Sequence, residues 1–205
     1  MSDAVSVSAA DVKALRKRTG AGMMDCKAAL AEAEGDIDRA VEILRIKGQA
    51  SASKRSGREA TEGVIGSYVH ATGKIGVMVE LRCETDFVAR NDEFREFARE
   101  VALHVAAAAP RYVSAEDIPE DEREAERRVL EQAAREDGKP DDKIPQIVNG
   151  QLVKWQETVA LLEQEHVNVD KHEAKTIEAL RADLAAKTGE NVQIARFARF
   201  EVGEE

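Results

Sequence analysis

Few residues of this 205-residue chain could carry chemistry of their own. Its four histidines stand at positions 70, 104, 166 and 172, and its two cysteines at 26 and 83. The cysteines make no CxxC and no Cys/His cluster, so neither a structural zinc site nor a disulfide framework is expected. His166 and His172 lie near acidic residues, at a spacing that reads as a polar turn rather than a ligand set. No GxxxxGK followed by Ser or Thr is present to cradle a phosphate, no GxGxxG follows a strand, and neither HExxH nor GxSxG occurs. Carboxylates abound without a recognisable acid–base pair. These features point away from an enzyme with a chemical step of its own, and no cofactor or resident metal is expected. One stretch stands apart. In "ELRCETDFVAR", Glu80–Arg90, a strand-like alternation stops at Cys83 and a helical period begins near Phe94, with Thr85, Asp86 and Phe87 between them. On one reading Thr85 or Asp86 caps a helix and Phe87 joins the core. On the other, the Asp–Phe pair projects from the turn as an acidic and apolar wedge, because the helical stripe already starts at Phe94, beyond the polar Asn91 and Asp92.

The composition narrows what such a wedge could meet. The formal net charge is −10, which argues against general nucleic-acid binding because phosphates repel an acidic surface. Aromatics are 4% of the chain, so the core must be aliphatic and rich in alanine, which favours helices. No stretch approaches the roughly 20 apolar residues of a membrane span, and the N-terminus shows no basic start followed by an apolar run, so no signal peptide is expected. Reduced thiols and a cytoplasmic location fit these features.

The elements that must hold these residues follow from periodicity. Residues 1–47 read as a three-helix module. Ser8 caps a helix with Val12 and Leu15 inward, Gly20 and Gly22 end it, Met23–Ala33 form a second helix, and Asp36 caps a third carrying Ile37, Ala40, Val41 and Leu44. Residues 48–63 read as a linker, part of which could be helical. Residues 64–205 read as an α+β core. In it, Val64–His70 and Ile75–Cys83 form a hairpin whose second strand has its odd positions inward. Asn91 or Asp92 then caps a helix with Phe94, Phe97, Ala98, Val101, Ala102 and Val105 on one stripe. Residues 114–143, with 12 Asp/Glu against 6 Lys/Arg, read as a solvated helical arm. A further stripe from Ile144 to Leu162 is interrupted by Gly150. Thr176 caps a last helix, and Val192, Ile194, Ala198, Phe200 and Val202 share one parity of a third strand. The expected fold is therefore α+β: an N-terminal three-helix bundle, then a small antiparallel three-stranded sheet packed with helices.

Three stretches are unusual for a plain core. Met23 and Met24 are adjacent, so one helix face cannot bury both. Gly66 sits inside a strand, where it lets another backbone approach. His70 at the hairpin end is either a surface residue or an interface contact. Together the stretches carry a resemblance. "LRKRTGAGMMDCKAAL" and "ELRCETDFVAR" resemble the two signature segments of the bacterial elongation factor Ts family, in the family's order, with "GDIDRAVEILRIKG" after the first and "GSYVH" and "KIGV" before the second. "KTIEALRADLAAKTGENVQIARFARFEVGE" is similar to the family's closing helix and strand. The likeness covers nearly the whole chain.

The resemblance implies a guanine nucleotide exchange factor for the translational GTPase elongation factor Tu. Met23, Met24 and Lys27 of the N-terminal module would then be contacts to the GTPase domain. Thr85, Asp86, Phe87 and Val88 match the family segment that displaces Mg²⁺, and His70 would touch another region of the partner. Longer family members carry two copies of the sheet subdomain, whereas here GSYVH and TDFV belong to one continuous hairpin. That resembles the short form and implies a homodimer. No direct nucleic-acid contact and no membrane association are implied. The N-terminal bundle is also similar to ubiquitin-associated-type modules, so a binding adaptor without exchange activity is the alternative.

Overall fold

The computed structural model describes residues 7–204, which divide into two compact units. The first holds the described residues up to Gly63 together with Arg82–Phe94 and Ala179–Gln193; the second holds Val64–Leu81, Arg95–Glu178 and the described residues from Ile194 on.

In the first unit, α1 spans Ala9–Thr19, α2 Met23–Glu32 and α3 Ile37–Arg55. Local chemistry sets their ends. The Ser8 hydroxyl accepts the Asp11 amide, and Gly20 closes α1 at φ 71°, a left-handed conformation that costs glycine nothing. The Asp36 carboxylate accepts the amides of Asp38 and Arg39 at 2.9 and 3.0 Å, capping α3 as expected. Val12, Leu15, Cys26, Ala29, Leu30, Ala33 and Ala40 form the buried core, with Ile37, Val41 and Leu44 packed against it. Because α3 continues to Arg55, the first half of the segment read as linker is helical. The same unit contains α9, Ile177–Thr188, from Ala179 on.

The second unit is built on a three-stranded sheet of β1 (Glu62–Val69), β2 (Ile75–Cys83) and β3 (Gln193–Glu201), in that order. The His70 amide donates to the Ile75 carbonyl across the hairpin, and the Val202 amide donates to the Lys74 carbonyl. Glu80 pairs with Arg196 at 2.6 Å. This register makes both pairings antiparallel and sets each even position of β2 beside an even position of β3. Val77, Val79 and Leu81 point inward as expected. On β3 a shared parity does not mean a shared environment: Val192 and Ile194 are buried, whereas Phe200 and Val202, of the same parity, are exposed, on the face of the sheet that carries Glu80 and Arg196.

Helix α5 (Asp92–Ala108) is capped by the Asn91 side chain, which accepts the Glu93 amide at 2.8 Å. Its stripe is buried along its length. At Gly66 a Cβ would lie 2.3 Å from the Ala98 carbonyl oxygen, so glycine is what lets β1 approach the α5 backbone. Helix α6 (Glu120–Glu136) packs on α7 (Ile144–Val159), with Ala134, Ile144 and Val148 buried between them and Leu130 partly covered. The acidic arm thus has an apolar seam, and α7 passes through Gly150 without a break.

Candidate partner-binding site

The corner after β2 is built from backbone hydrogen bonds to side chains more than a hundred residues away in sequence, all within the first unit. One carboxylate oxygen of Glu190 accepts the amides of Glu84 and Thr85 at 2.9 and 3.0 Å, and the other accepts the Thr85 hydroxyl at 2.5 Å. Glu84 answers by accepting the Asn191 amide at 2.6 Å. The Asn191 side-chain amide donates to the carbonyls of Ser56 and Arg58 at 3.2 and 2.8 Å. The four bonds to the Glu190 and Glu84 carboxylates have ionised acceptors, which makes them short and strong. Glu190 and Asn191 are structural determinants that periodicity did not reveal. Their only local signal is a polar pair directly after Gly189, the glycine that ends α9.

Beyond this clamp, Asp86–Ala89 make the single turn α4, with Thr85 in the N-cap position. The Thr85 side chain makes no cap hydrogen bond, since its hydroxyl is committed to Glu190. Ala89 is buried and anchors the turn, while Phe87 is 82% exposed. The structure therefore decides between the two readings of the junction: the ring projects and takes no part in the core. Asp86 pairs with Arg90 at 2.8 Å, one turn on, with both side chains substantially exposed. Such pairs contribute only about 0.3–0.5 kcal/mol, so Asp86 can be drawn to another partner cheaply.

Behind the corner, Cys83 is buried, and its thiol donates to the Thr85 carbonyl at 3.2 Å. Burial, and then the nearby Glu190 carboxylate, push the Cys83 thiol up to about 11. Beside Phe87 opens a cavity of about 560 Å³, lined by Lys17, Arg18, Val88, Lys187 and Thr188 among others. The aliphatic stem of Lys187 lies over Gly20, with its Cγ 3.0 Å from where a Cβ would stand, and its ammonium pairs with Glu93. In this way α9 sits against the α1–α2 turn.

On α2, Met23 is 48% and Met24 74% exposed, and Lys27 follows at helical spacing, also exposed. Both methionines face solvent, where only one was required to. In the second unit, His70 is exposed at the end of β1 and its Nδ1 lies 3.1 Å from the Tyr68 hydroxyl. The other three histidines lie together, and His166 and His172 depart from the polar-turn reading. His104 and His166 are buried, and His172 is largely so. His104 bonds Gln164 at 2.9 Å and accepts the Val167 amide. His166 lies between the rings of His104 and His172, tilted to both, with centroids 5.4 and 4.2 Å away. Position 166 is buried because Ile177 donates its amide to the Gln164 carbonyl and His166 its own to the Lys175 carbonyl, which folds the segment back on itself.

A small α+β fold with an exposed aromatic on a clamped corner and an exposed methionine pair on a helical module has the surface features of a protein that binds other proteins. The comparisons say which kind. Residues 1–204 match the family model described as "Elongation factor TS". The chain is 50% identical over 200 residues to the Elongation factor Ts of Geobacter sulfurreducens, covering 98% of this chain and 91% of that one. It is 51% identical over 198 residues to that of Caldanaerobacter subterraneus subsp. tengcongensis, covering 97% and 98%. To that of Carboxydothermus hydrogenoformans it is 52% identical over 193 residues, covering 94% and 88%. The chain belongs to the elongation factor Ts family of translation elongation factors. Among the described residues no helix is long and apolar enough to cross a membrane.

Proposed function

We propose that the chain is the guanine nucleotide exchange factor of a cytoplasmic elongation factor Tu: it binds the GDP form, displaces Mg²⁺ and promotes GDP release, making and breaking no bond of its own. The observation that carries this reading is Phe87, an apolar ring held in solvent on a corner that Glu190 fixes from behind. Phe87 enters the partner beside its metal and phosphate site. Asp86 leaves Arg90 and offers its oxygens to groups that otherwise order the Mg²⁺ water shell. Thr85 and Val88 flank the wedge. Met23, Met24 and Lys27 dock the N-terminal module, residues 1–47, on the GTPase domain, and His70 contacts another region of the partner.

The energetics follow from linkage. A factor that favours the nucleotide-free partner weakens nucleotide binding by the factor by which nucleotide weakens its own. Accelerating release ~10⁴-fold takes roughly 5.5 kcal/mol of differential interaction. Burying one Phe supplies about 1.5–3 kcal/mol. The remainder must come from the other contacts, so the interface is broad.

The same reading includes a homodimer. Ile65 and Val69 of β1, Met78 of β2 and Phe200 of β3 share the outer face of the sheet and are each more than half exposed. The same face carries Ser67, Arg82 and the paired Glu80 and Arg196, around these exposed apolar side chains. A second copy related by a two-fold axis presents the same apolar patch, which suits an isologous interface. The test of function is release of a fluorescent GDP analogue from purified elongation factor Tu, in Mg²⁺, with and without the chain. Acceleration by orders of magnitude is expected. Binding without acceleration would make the chain an adaptor.

A further inference from the structure

We propose that Glu100, His166 and His172 form a binding site for a divalent transition-metal ion, zinc foremost, in the second unit. Each offers one ligand atom, and the three atoms lie within 4.8 Å of one another. Two imidazoles and one carboxylate are the donor set that suits zinc, with three protein ligands and an open position for water. An independent sign points to the same spot. His166 is 2% exposed and its Nε2 makes no well-formed hydrogen bond, only a poorly aligned approach to the Glu100 main chain, a costly state for a buried polar nitrogen that a coordinate bond would relieve. The His172 Nε2 lies 2.9 Å from Glu100 Oε2, so a carboxylate oxygen and a second ring nitrogen already converge. Lys171 holds the other Glu100 oxygen and can keep it, leaving Oε2 for the ion.

The surroundings set what binding must change. Ligand atoms about 2.0–2.2 Å from zinc in a tetrahedral site stand closer together than 4.8 Å, so the ion draws the side chains inward. The His166 Nδ1 accepts the Asn168 amide at 3.0 Å, which places the ring proton on Nε2. Coordination at Nε2 moves that proton to Nδ1, and the Asn168 amide turns to water, to which its exposed residue has access. One backbone hydrogen bond is exchanged for a metal bond that ties the His166–His172 segment to α5. His104 does not compete, being committed to Gln164 and the Val167 amide.

The experiment uses the untagged full-length chain, stripped with chelator and titrated with ZnSO₄ and CoCl₂. Expected are one zinc per chain and a cobalt visible spectrum of four- or five-coordinate type. Zinc at a hundred times its Kd should raise the melting temperature by roughly 5 °C. His172→Asn and Glu100→Gln, both at partly exposed positions, should each weaken zinc binding at least tenfold while the metal-free circular dichroism stays unchanged. A chain that takes up no zinc at saturation overturns the proposal. So does a His172→Asn, Glu100→Gln double variant that binds like the parent, which would assign the zinc to the acidic surface.

Discussion

Replacing Phe87 by alanine isolates the wedge from the fold. The ring is 82% exposed and sits on the one-turn helix α4, whose anchor is the buried Ala89. Its removal opens no cavity, so the cost to folding should fall within about 0.5 kcal/mol. In the complex the same ring would contribute about 1.5–3 kcal/mol if buried. At about 1.36 kcal/mol per tenfold in rate, that is a loss of roughly 10- to 150-fold in the second-order exchange rate. Stopped-flow release of a fluorescent GDP analogue from elongation factor Tu, over a range of factor concentrations, measures that rate, and a urea melt measures stability in parallel. Phe87→Leu should fall between the parent and Phe87→Ala, since it keeps most of the apolar surface. Exchange within twofold of the parent would refute the wedge. A loss of 2 kcal/mol or more in the melt would refute it differently, by showing that the ring is packed within its own chain in solution.

Four further outcomes follow. Glu190→Ala should slow exchange about tenfold and Glu190→Gln less, because charge-assisted hydrogen bonds contribute about 1.5–3 kcal/mol and the corner amides of Glu84 and Thr85 lose their acceptor; unchanged exchange in the Ala variant would mean the clamp does not position the wedge. Gly66→Ala should destabilise by about 3 kcal/mol, since its Cβ meets the Ala98 carbonyl, and a wild-type melt would deny that close approach. The parent should run as the proposed dimer by light scattering and Phe200→Asp as a monomer; a monomeric parent would refute the dimer, and a Phe200→Asp dimer would place its interface elsewhere. The Cys83 thiol, raised by burial to about 11, is neutral at pH 8. Its folded value lies above the unfolded one, so its contribution to stability is complete below pH 9 and is lost as pH rises toward 11. Peptide-resolved alkylation at pH 8 should therefore be at least about 100-fold slower in native than in urea-unfolded protein, from the thiolate fraction alone; equal rates would contradict the buried, neutral thiol.

Caps and periods made most elements legible. Ser8, Asp36, Asn91 and Gly189 mark helix ends because their side chains, or the lack of one, satisfy backbone groups within a few residues, and that information is local. The odd-parity face of β2 was readable for the same reason. What sequence alone could not supply is non-local. Glu190 meets Thr85 at a separation of 105 residues, and no period links them. Phe200 is exposed while Ile194, on the same parity, is buried, a difference set by what covers each end of the strand, which the alternating pattern of β3 alone leaves open. His166 is buried because of backbone bonds to Lys175, although histidine next to glutamate and asparagine reads as surface. At the candidate site, the exposed Phe87, Met24 and Lys27 were found by residue type and resemblance, whereas the clamp that makes the corner rigid was not.

That clamp matters because of what an exposed aromatic costs in water. A ring on a flexible loop would collapse onto the nearest apolar surface, or spend part of its binding energy on being ordered when the partner arrives. Three hydrogen bonds from the corner to Glu190, the Asn191 bonds to Ser56 and Arg58, and the buried Ala89 hold the backbone on either side of Phe87 before any partner is present. The ordering is then complete at folding, and under the proposed mechanism the roughly 1.5–3 kcal/mol expected from a buried Phe would be available almost whole at the partner's metal site. By the same reasoning, if docking rests on α2 and displacement on the preset ring as proposed, a variant that loosens the corner while keeping Phe87 should bind the GTPase nearly as well as the parent yet release GDP more slowly.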